Sequence, residues 1–321
     1  MRQHLNVDHV TRHFLTRAQS LPPVTTAVVH PCSHDALLGA VEAAQEGLIK
    51  PVLIGPEDKI KATAEDQKLD ISKFKLVDVP HSHAAAETAV KMAAAGEVSA
   101  LMKGSLHTDE LMAQVVAPQN NLRTERRISH VFVMADENYH KPFFITDAAI
   151  NIAPTLAIKR DIVQNAVDFA AAIAESKTFT PKVAVLAAVE TVNPEMPATL
   201  DAACLTQMAR RRQITGAVVD GPLAFDNAIS AEAAKIKGIE SPVAGDADIF
   251  VVPDIESGNM LAKQLILLGN ASSAGIVLGA RVPIILTSRA DNVESRIGSC
   301  VMAVLMTHAR QTGRLTFTKG S

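Results

Sequence analysis

In the stretch IILTSRADNVESR, residues 284–296, an aliphatic run is followed directly by polar and charged residues. Ser288 and Arg289 follow the apolar residues, and Asp291 with Glu294 have the spacing of a capping box for a following helix. Ser288 and Arg289 would then lie between a strand end and a helix N-terminus, where free N–H groups and the helix dipole favour an anion. An arginine fork and a hydroxyl suit phosphate oxygens. The pair indicates either an anion site or a capping serine beside a surface arginine.

Several other segments with strand character also end in polar or glycine-containing turns. Ligands of open parallel sheets bind at the carboxyl ends of the strands, so side chains at these positions are candidates for binding. The candidates, in chain order, are Lys103, Gly104, Ser105, Asp147, Asn151, Glu190, Asp226, Asp254, Ser257 and Asn259.

The elements that must position these residues alternate along the chain. Short β-branched runs such as TTAVVH (25–30), SALMKG (99–104) and VPIILTS (282–288) are separated by longer Ala-rich stretches with helical spacing. Near-continuous apolar strands between helices predict an α/β fold with parallel sheets covered on both faces. A chain of 321 residues favours two domains. We predict a discontinuous first domain, 1–138 plus 278–321, and a second domain, 139–277.

Composition excludes several classes of function. The net charge of -3 argues against nucleic acid as the main partner. Cys32, Cys204 and Cys300 are too far apart for a disulfide framework or a zinc site. The start lacks an apolar signal region, and no apolar run approaches the ~20 residues of a membrane helix, so we expect a soluble cytoplasmic protein. The patterns GxxxxGK[ST], GxGxxG after the first strand, and GxSxG are absent, and no metal site is expected.

The strand-end motifs LMKG, LRT followed by ISHVFVM, TDAAIN, DGPLAFDNA, VVPDIESGNML and TSRAD resemble those of the phosphate acetyltransferase/phosphate butyryltransferase family, in the family's order. The resemblance implies two three-layer α/β domains, like those of isocitrate and isopropylmalate dehydrogenases, with the active site in the cleft between them, and usually a homodimer. The implied reaction is reversible transfer of a short acyl group between CoA and inorganic phosphate. The CoA thiolate would attack the acyl phosphate directly in a ternary complex, without a metal or a further cofactor.

The resemblance also implies roles for particular residues. Ser288 and Arg289 match the family's Ser-Arg pair, which binds and stabilises the reacting groups. Ser295 stands where acetyl-specific relatives often carry Asp, so Glu294 is our candidate for the thiol base, with Asp291 in reserve. The family's arginine in the helix after the KG strand is missing here. Arg123 therefore becomes the second phosphate cation, with Lys103 nearby. The remaining strand-end motifs assign substrate binding to Gly104, Asp147, Asn151, Asp226, Asp254, Ser257 and Asn259.

The sequence alone leaves alternative functions open. We expect acetyl transfer, although the combination of LMKG, LRT and SHV leans toward the butyryl side or an atypical acetyl branch. An NAD(P)-dependent dehydrogenase of the isocitrate type would need a metal held by residues such as Asp220, Asp226 and Asp254, and it fits the motif set less well. A two-lobed protein that binds an anion without catalysis is the third possibility.

Overall fold

The computed structural model describes residues 7–286 and 293–315, with the side chains from residue 12 onward. Ser288, Arg289 and Asp291 therefore lie outside the described residues. The chain divides into two compact units. The central unit is Arg127–Ser273, with which the described residues 7–11 are grouped, and the discontinuous unit combines Arg12–Arg126 with the described residues from Ala274 onward. The domain limits expected from the sequence, at 138 and 278, stay a prediction.

The discontinuous unit is built from strands that alternate with helices. Helix α1 (Val7–Gln19) opens the described chain. The elements that follow are β1 (Val24–Val29), α2 (His34–Gln45), β2 (Ile49–Gly55), α3 (Glu57–Asp66), β3 (Lys75–Asp78), α4 (Ser82–Ala95), β4 (Ala100–Lys103), α5 (Thr108–Val116), β10 (Ser272–Leu278), β11 (Ile284–Ile285) and α11 (Val293–Gln311).

The sheet of this unit has the strand order β3-β2-β1-β4-β11-β10. All neighbours are parallel except β10 and β11, which pair antiparallel. Helix α4 packs on β1 and β2 through small buried residues, among them Ala85, Ala86 and Ala89. These alanines let the helix approach the sheet closely. Because β1, β4 and β11 are parallel neighbours, their carboxyl ends lie side by side at one edge of the sheet.

The central unit contains β5 (Ser129–Ala135), β6 (Phe143–Thr146), α6 (Leu156–Ile173), β7 (Lys182–Leu186), α7 (Pro197–Arg210), β8 (Val218–Leu223), α8 (Phe225–Ile229), α9 (Ala231–Ile236), β9 (Ile249–Val251) and α10 (Ile255–Leu267). Its strand order is β5-β6-β9-β7-β8. Strands β6, β9, β7 and β8 are parallel, and β5 pairs antiparallel with β6. The core includes an aromatic group in which the Phe143 and Phe250 rings lie 5.5 Å apart.

The α/β class predicted from the sequence is confirmed, but the expectation of purely parallel sheets was wrong. Antiparallel pairs occur where the connection is short, at residues 136–142 between β5 and β6 and at 279–283 between β10 and β11. A parallel crossover needs a dozen or more residues, so these connections can only form reversals. No described helix is long and apolar enough to span a membrane.

Candidate functional site

The loop after β6 is organised by Asp147. This carboxylate is 3% exposed and accepts hydrogen bonds from the backbone N–H groups of Ala149, Ile150 and Asn151. The Asn151 Nδ2 donates to the same carboxylate at 2.6 Å. Burial raises the pKa of Asp147, and these hydrogen bonds act in the opposite direction. The side chain therefore holds a tight turn at the carboxyl end of β6.

Asn151 ties this turn to the start of the central unit. Its Nδ2 also donates to the carbonyl of Ile128 at 2.9 Å, and its Oδ1 accepts from the Arg127 Nε at 3.1 Å. The guanidinium of an exposed arginine is thereby oriented by a buried amide. A cation thus lies beside the turn that Asp147 holds.

Helix α10 begins against the same turn. Asp254 is its N-cap and accepts from the Ser257 N–H and the Ser257 hydroxyl, both at 2.8 Å. The hydrogen bond from the Ser257 backbone N–H, foremost among several causes, lowers the pKa of Asp254. Asn259 donates to the carbonyl of Ala148 at 3.3 Å. A Cβ atom at Gly258 would lie 2.6 Å from a Val252 methyl group, so this first turn approaches the strand end more closely than a larger residue permits.

Five of the residues predicted from strand-end motifs therefore come together at the carboxyl edge of the adjacent strands β6 and β9. They are Asp147, Asn151, Asp254, Ser257 and Asn259.

Asp226 belongs to a different cluster of the central unit. It lies in the first turn of α8, just after β8, with its side chain 54% exposed. Lys237 pairs with Asp226 at 3.1 Å and with Glu190 at 3.6 Å, and Asn227 donates to Glu190 at 3.3 Å. Hydrogen bonding to Lys237 is the foremost cause that lowers the pKa of Asp226. Asp226 therefore occurs as an ion-paired surface carboxylate.

In the discontinuous unit, Gly104 follows β4 at a point of very close backbone approach. A Cβ atom there would clash with the carbonyl oxygen of Val29 and would lie 2.6 Å from that of His30. The Gly104 N–H donates to Val29 O at 2.9 Å, and the Ser105 N–H donates to His30 O at 2.9 Å. Glycine is required here so that the end of β4 can bond the end of β1.

Lys103 is half-buried at the end of β4, and its Nζ donates to the Gly104 carbonyl at 3.2 Å. Its neighbour on the other side is β11, where Ile285 pairs with Met102. The strand that leads toward Ser288 and Arg289 thus ends next to the strand that ends in Lys103.

Arg123 and Glu294 are both exposed to solvent. Arg123 forms an isolated antiparallel bridge with Ala280, and the neighbouring Thr124 hydroxyl donates to Gly279 O at 2.6 Å. The backbone around Arg123 is thereby fixed while its guanidinium faces water. Glu294 lies in the first turn of α11. Its role as thiol base stays a prediction.

Ser105 was among the candidates from the sequence, but His30 and its contact with Ser105 were missed. The His30 Nδ1 lies 3.1 Å from the Ser105 Oγ at the carboxyl edge of β1 and β4. The two residues are 75 positions apart, so no local spacing connects them. The available signal was that two neighbouring strands, TTAVVH and SALMKG, both end in polar residues. Among the described residues, no group of three or more His, Cys, Asp or Glu side chains could hold a metal ion.

The chain matches a family of known proteins over most of its length. Residues 83–304 match the family model described as Phosphate acetyl/butaryl transferase. The chain belongs to this family. The matched range includes β4, the loop after β6 and the start of α10, whereas β1 and His30 lie before it. The resemblance inferred from the motifs is confirmed.

Relatives of high identity extend over almost the whole chain. A phosphate acetyltransferase of Rickettsia prowazekii is 61% identical over 92% of this chain and 85% of its own length. One from Rhizobium meliloti is 56% identical over 94% of each chain. A phosphate butyryltransferase of Clostridium acetobutylicum is 40% identical over 90% of this chain and 95% of its own.

Solved structures share the fold. A branched-chain phosphotransacylase from Enterococcus faecalis matches with a TM-score of 0.78 and 32% identity, over 89% of this chain and 99% of that one. A 4-hydroxythreonine-4-phosphate dehydrogenase from Klebsiella pneumoniae matches with a TM-score of 0.55 and 13% identity, over 89% and 100% of the two chains. The second likeness concerns the fold alone.

Proposed function

We propose that this protein is a phosphate acyltransferase that moves an acetyl group reversibly between CoA and inorganic phosphate. The observation that carries the proposal is the family membership, with relatives named phosphate acetyltransferase at 61% and 56% identity over more than nine-tenths of the chain. The relative named phosphate butyryltransferase is more distant, at 40% identity. This difference favours the acetyl group over a longer chain.

The proposed reaction is a direct displacement in a ternary complex. The CoA thiolate attacks the carbonyl carbon of the acyl phosphate, the negative charge develops on the carbonyl oxygen, and phosphate leaves. Such a reaction depends on orientation of the two substrates and on donors aimed at the oxyanion. CoA, acyl-CoA, phosphate and acyl phosphate are then substrates, and no metal or further cofactor is proposed.

We propose that Ser288 and Arg289 supply the donors for the reacting phosphoryl and carbonyl oxygens. They follow β11, which pairs with the strand that ends in Lys103 and Gly104. Arg123 is proposed as the second cation for phosphate, because its guanidinium is exposed on a fixed backbone. Lys103 and Arg123 both belong to the discontinuous unit.

The strand-end group of the central unit is proposed to hold the rest of CoA. Asp147, Asn151, Asp254, Ser257 and Asn259 present carboxylate, amide and hydroxyl groups at one edge. Asp226 is proposed to contribute from the neighbouring cluster. The homodimer, the cytoplasmic location and the layout like that of isocitrate dehydrogenase also stay proposals.

The test is phosphate-dependent release of CoA from acetyl-, propionyl- and butyryl-CoA, measured side by side on the purified chain. Release of CoA should require phosphate, should be fastest with acetyl-CoA and should survive EDTA. A fastest reaction with butyryl-CoA would move the assignment to phosphate butyryltransferase. No phosphate-dependent release from any of the three would overturn the proposed function, and reduction of NAD(P) with a hydroxy-acid panel would then support the dehydrogenase alternative.

A further inference from the structure

Within residues 7–286 and 293–315, Glu294 is the carboxylate that the sequence offers as a base for the CoA thiol. Glu294 is exposed, and Ser295, beside it in α11, carries no carboxylate. A group that takes a proton from a thiol needs a basic lone pair near neutral pH, and a solvent-exposed carboxylate is a poor acceptor for this step. A neutral histidine has such a lone pair.

His30 occupies an unusual position at the end of β1. Its backbone has φ of 55°, in the left-handed region that only a few residue types adopt readily. The Ser105 N–H and the Ser105 hydroxyl both donate to the His30 carbonyl, at 2.9 and 2.7 Å. The loop at His30 is thus pinned in place by the residue that follows Gly104.

The hydrogen bonds of Ser105 determine which ring nitrogen of His30 carries the proton. A serine hydroxyl has one proton, and Ser105 donates it to the His30 carbonyl. The same oxygen accepts the Cys32 N–H at 3.2 Å. The His30 Nδ1, 3.1 Å from this oxygen, must therefore be the donor in their contact. The neutral ring then has its lone pair on Nε2, for which the described residues provide no hydrogen-bond donor.

The surroundings of His30 favour the neutral ring. Its side chain is half-buried, and burial is the foremost cause that lowers the pKa of His30 below its ordinary value of 6.5. Lys59 in α3 acts in the same direction, whereas Glu110 in α5 raises the pKa. The thiol of Cys32, in the same loop, has a pKa raised by burial and so stays protonated.

Location connects His30 with the proposed reaction. Strand β1 pairs with β4, so that Val29 lies opposite Lys103, and β4 pairs with β11 on its other side. His30 therefore lies at the sheet edge where the strand leading toward Ser288 and Arg289 also ends. An imidazole at this edge lies on the strand next to β4, which ends in Lys103.

We propose that His30, held in the Nδ1–H tautomer by Ser105, is the general base that activates the CoA thiol. This inference rests on the proposed function. Nε2 takes the proton of the CoA S–H group, and the sulfur electron pair forms the S–C bond to the acyl carbon. The bond between the acyl carbon and the bridging phosphate oxygen breaks, and its electron pair leaves with phosphate. The proton on Nε2 then passes to the departing phosphate or to water. In the reverse direction the imidazolium returns its proton to the leaving thiolate.

The decisive variant is His30→Asn. Asparagine tolerates a positive φ, and its Nδ2 can replace the Nδ1 donor to Ser105, but it has no lone pair in the place of Nε2. We expect kcat/KM for acetyl phosphate and CoA to fall about 100-fold or more, the usual scale for loss of a general base, with the thermal midpoint unchanged. His34→Asn is the matched control, because His34 is the first residue of α2, close to His30 in sequence, with its side chain half exposed and paired with Asp35. Its kinetics should remain those of the wild type.

The pH profile separates a base from a merely structural histidine and can be measured on the wild type. In the direction that consumes CoA, kcat/KM should fall as pH drops below the pKa of His30, and this acidic limb should be absent from His30→Asn. An acidic limb that persists in His30→Asn, or activity within about threefold of the wild type, would overturn the assignment. If His30→Asn does not fold, a wild-type profile without an acidic limb would overturn it instead. Absence of acyl transfer in the wild type itself would refute the proposed function rather than the role of His30.

Discussion

At the scale of single residues, most of the predicted site residues make hydrogen bonds with the chain itself. Asp147 holds its own turn, Asp254 caps its own helix, and Gly104 allows two backbones to meet. Such side chains prepare a surface by fixing the loops that carry it. Among the described candidates, the guanidinium of Arg123 is exposed, and the Nε2 of His30 receives no hydrogen bond from the described residues.

Gly104 gives the sharpest prediction at this scale. Gly104→Ala would force its methyl group onto the carbonyl oxygens of Val29 and His30 and would push β4 away from β1. We expect insoluble protein or a loss of activity of about 100-fold or more, because a misplacement of about 1 Å at a reacting group has an effect of this size.

Gly39→Ala is the control for this change. A methyl group at position 39 would meet only side-chain atoms, those of Arg296 and Met102, at 3.0 Å or more. Side chains can move more cheaply than two carbonyl groups, so a smaller loss is expected. Equal activity of Gly104→Ala and the wild type would show that the contact between β1 and β4 does not position the site.

At the scale of elements, the sequence predicted the strands and helices better than their directions. Nearly continuous apolar runs revealed β1, β4 and β11, and α4 ends at Gly96, which adopts φ of 79°. Strand β10 was missed. Helix α6 begins at Leu156 with Thr155 as its N-cap. The antiparallel pair of β5 and β6 follows from a connection too short for a parallel crossover, a feature that the sequence shows and that the prediction of parallel sheets overlooked.

The candidate site shows the same limit. Turn motifs such as TDAAIN and PDIESGN identified residues that do meet, because parallel strands bring their carboxyl ends to one edge. The contact between His30 and Ser105 joins residues far apart in sequence and depends on the strand order. Strand order is a property of the folded sheet, and the spacing of residues along a single sequence does not reveal it.

Two substitutions of Asp254 separate its structural role as the N-cap of α10 from its proposed role in substrate binding. Asp254→Ala should lower the free energy of unfolding by about 1 kcal/mol through loss of the N-cap. Asp254→Asn keeps an N-cap of similar quality and should unfold like the wild type in urea. If Asp254 also binds substrate, Asp254→Asn should raise the KM for CoA about tenfold, equivalent to ~1.4 kcal/mol.

Thr155→Ala is the matched control, since Thr155 caps α6 through the Ile158 N–H and has no proposed contact with substrate. It should lose stability without a change in KM. An unchanged KM in Asp254→Asn would restrict Asp254 to the cap.

At the scale of the whole molecule, the stability of the central unit should depend on a charge network at the amino edge of its sheet. Lys141 lies 2.8 Å from Asp246 and 2.7 Å from Asp248, and Lys182 lies 2.6 Å from Asp246. His140 also contacts Asp246, at 2.8 Å. The network joins the starts of β6, β7 and β9, the three strands whose opposite ends carry the proposed site.

The network predicts a stability that weakens in acid. Burial raises the pKa of Asp246, but hydrogen bonds from Lys141, Lys182 and His140 outweigh it and hold the pKa well below the ordinary 3.8. A depressed carboxyl pKa stabilises the fold above 3.8, and this stabilisation is lost as pH falls toward the folded-state pKa. Because Asp246 is 42% exposed, solvent screening limits the contribution to about 1 kcal/mol.

Urea unfolding of Asp246→Asn measures this contribution, followed by circular dichroism because the chain has no Trp. The variant should be less stable than the wild type at pH 6, and the difference should shrink toward pH 3. Glu87→Gln, which breaks a single exposed pair with Lys91, should change stability by less than about 0.5 kcal/mol. A difference for Asp246→Asn that is the same at both pH values would remove the network as its cause.

The proposed chemistry as a whole can be tested by isotope exchange. Labelled inorganic phosphate and unlabelled acetyl phosphate are incubated with the protein, with and without CoA, and label in acetyl phosphate is measured. Direct attack of the thiolate in a ternary complex predicts exchange that depends completely on CoA. Exchange in the absence of CoA would reveal an acyl-enzyme instead, and no exchange under either condition would contradict phosphate acyl transfer altogether.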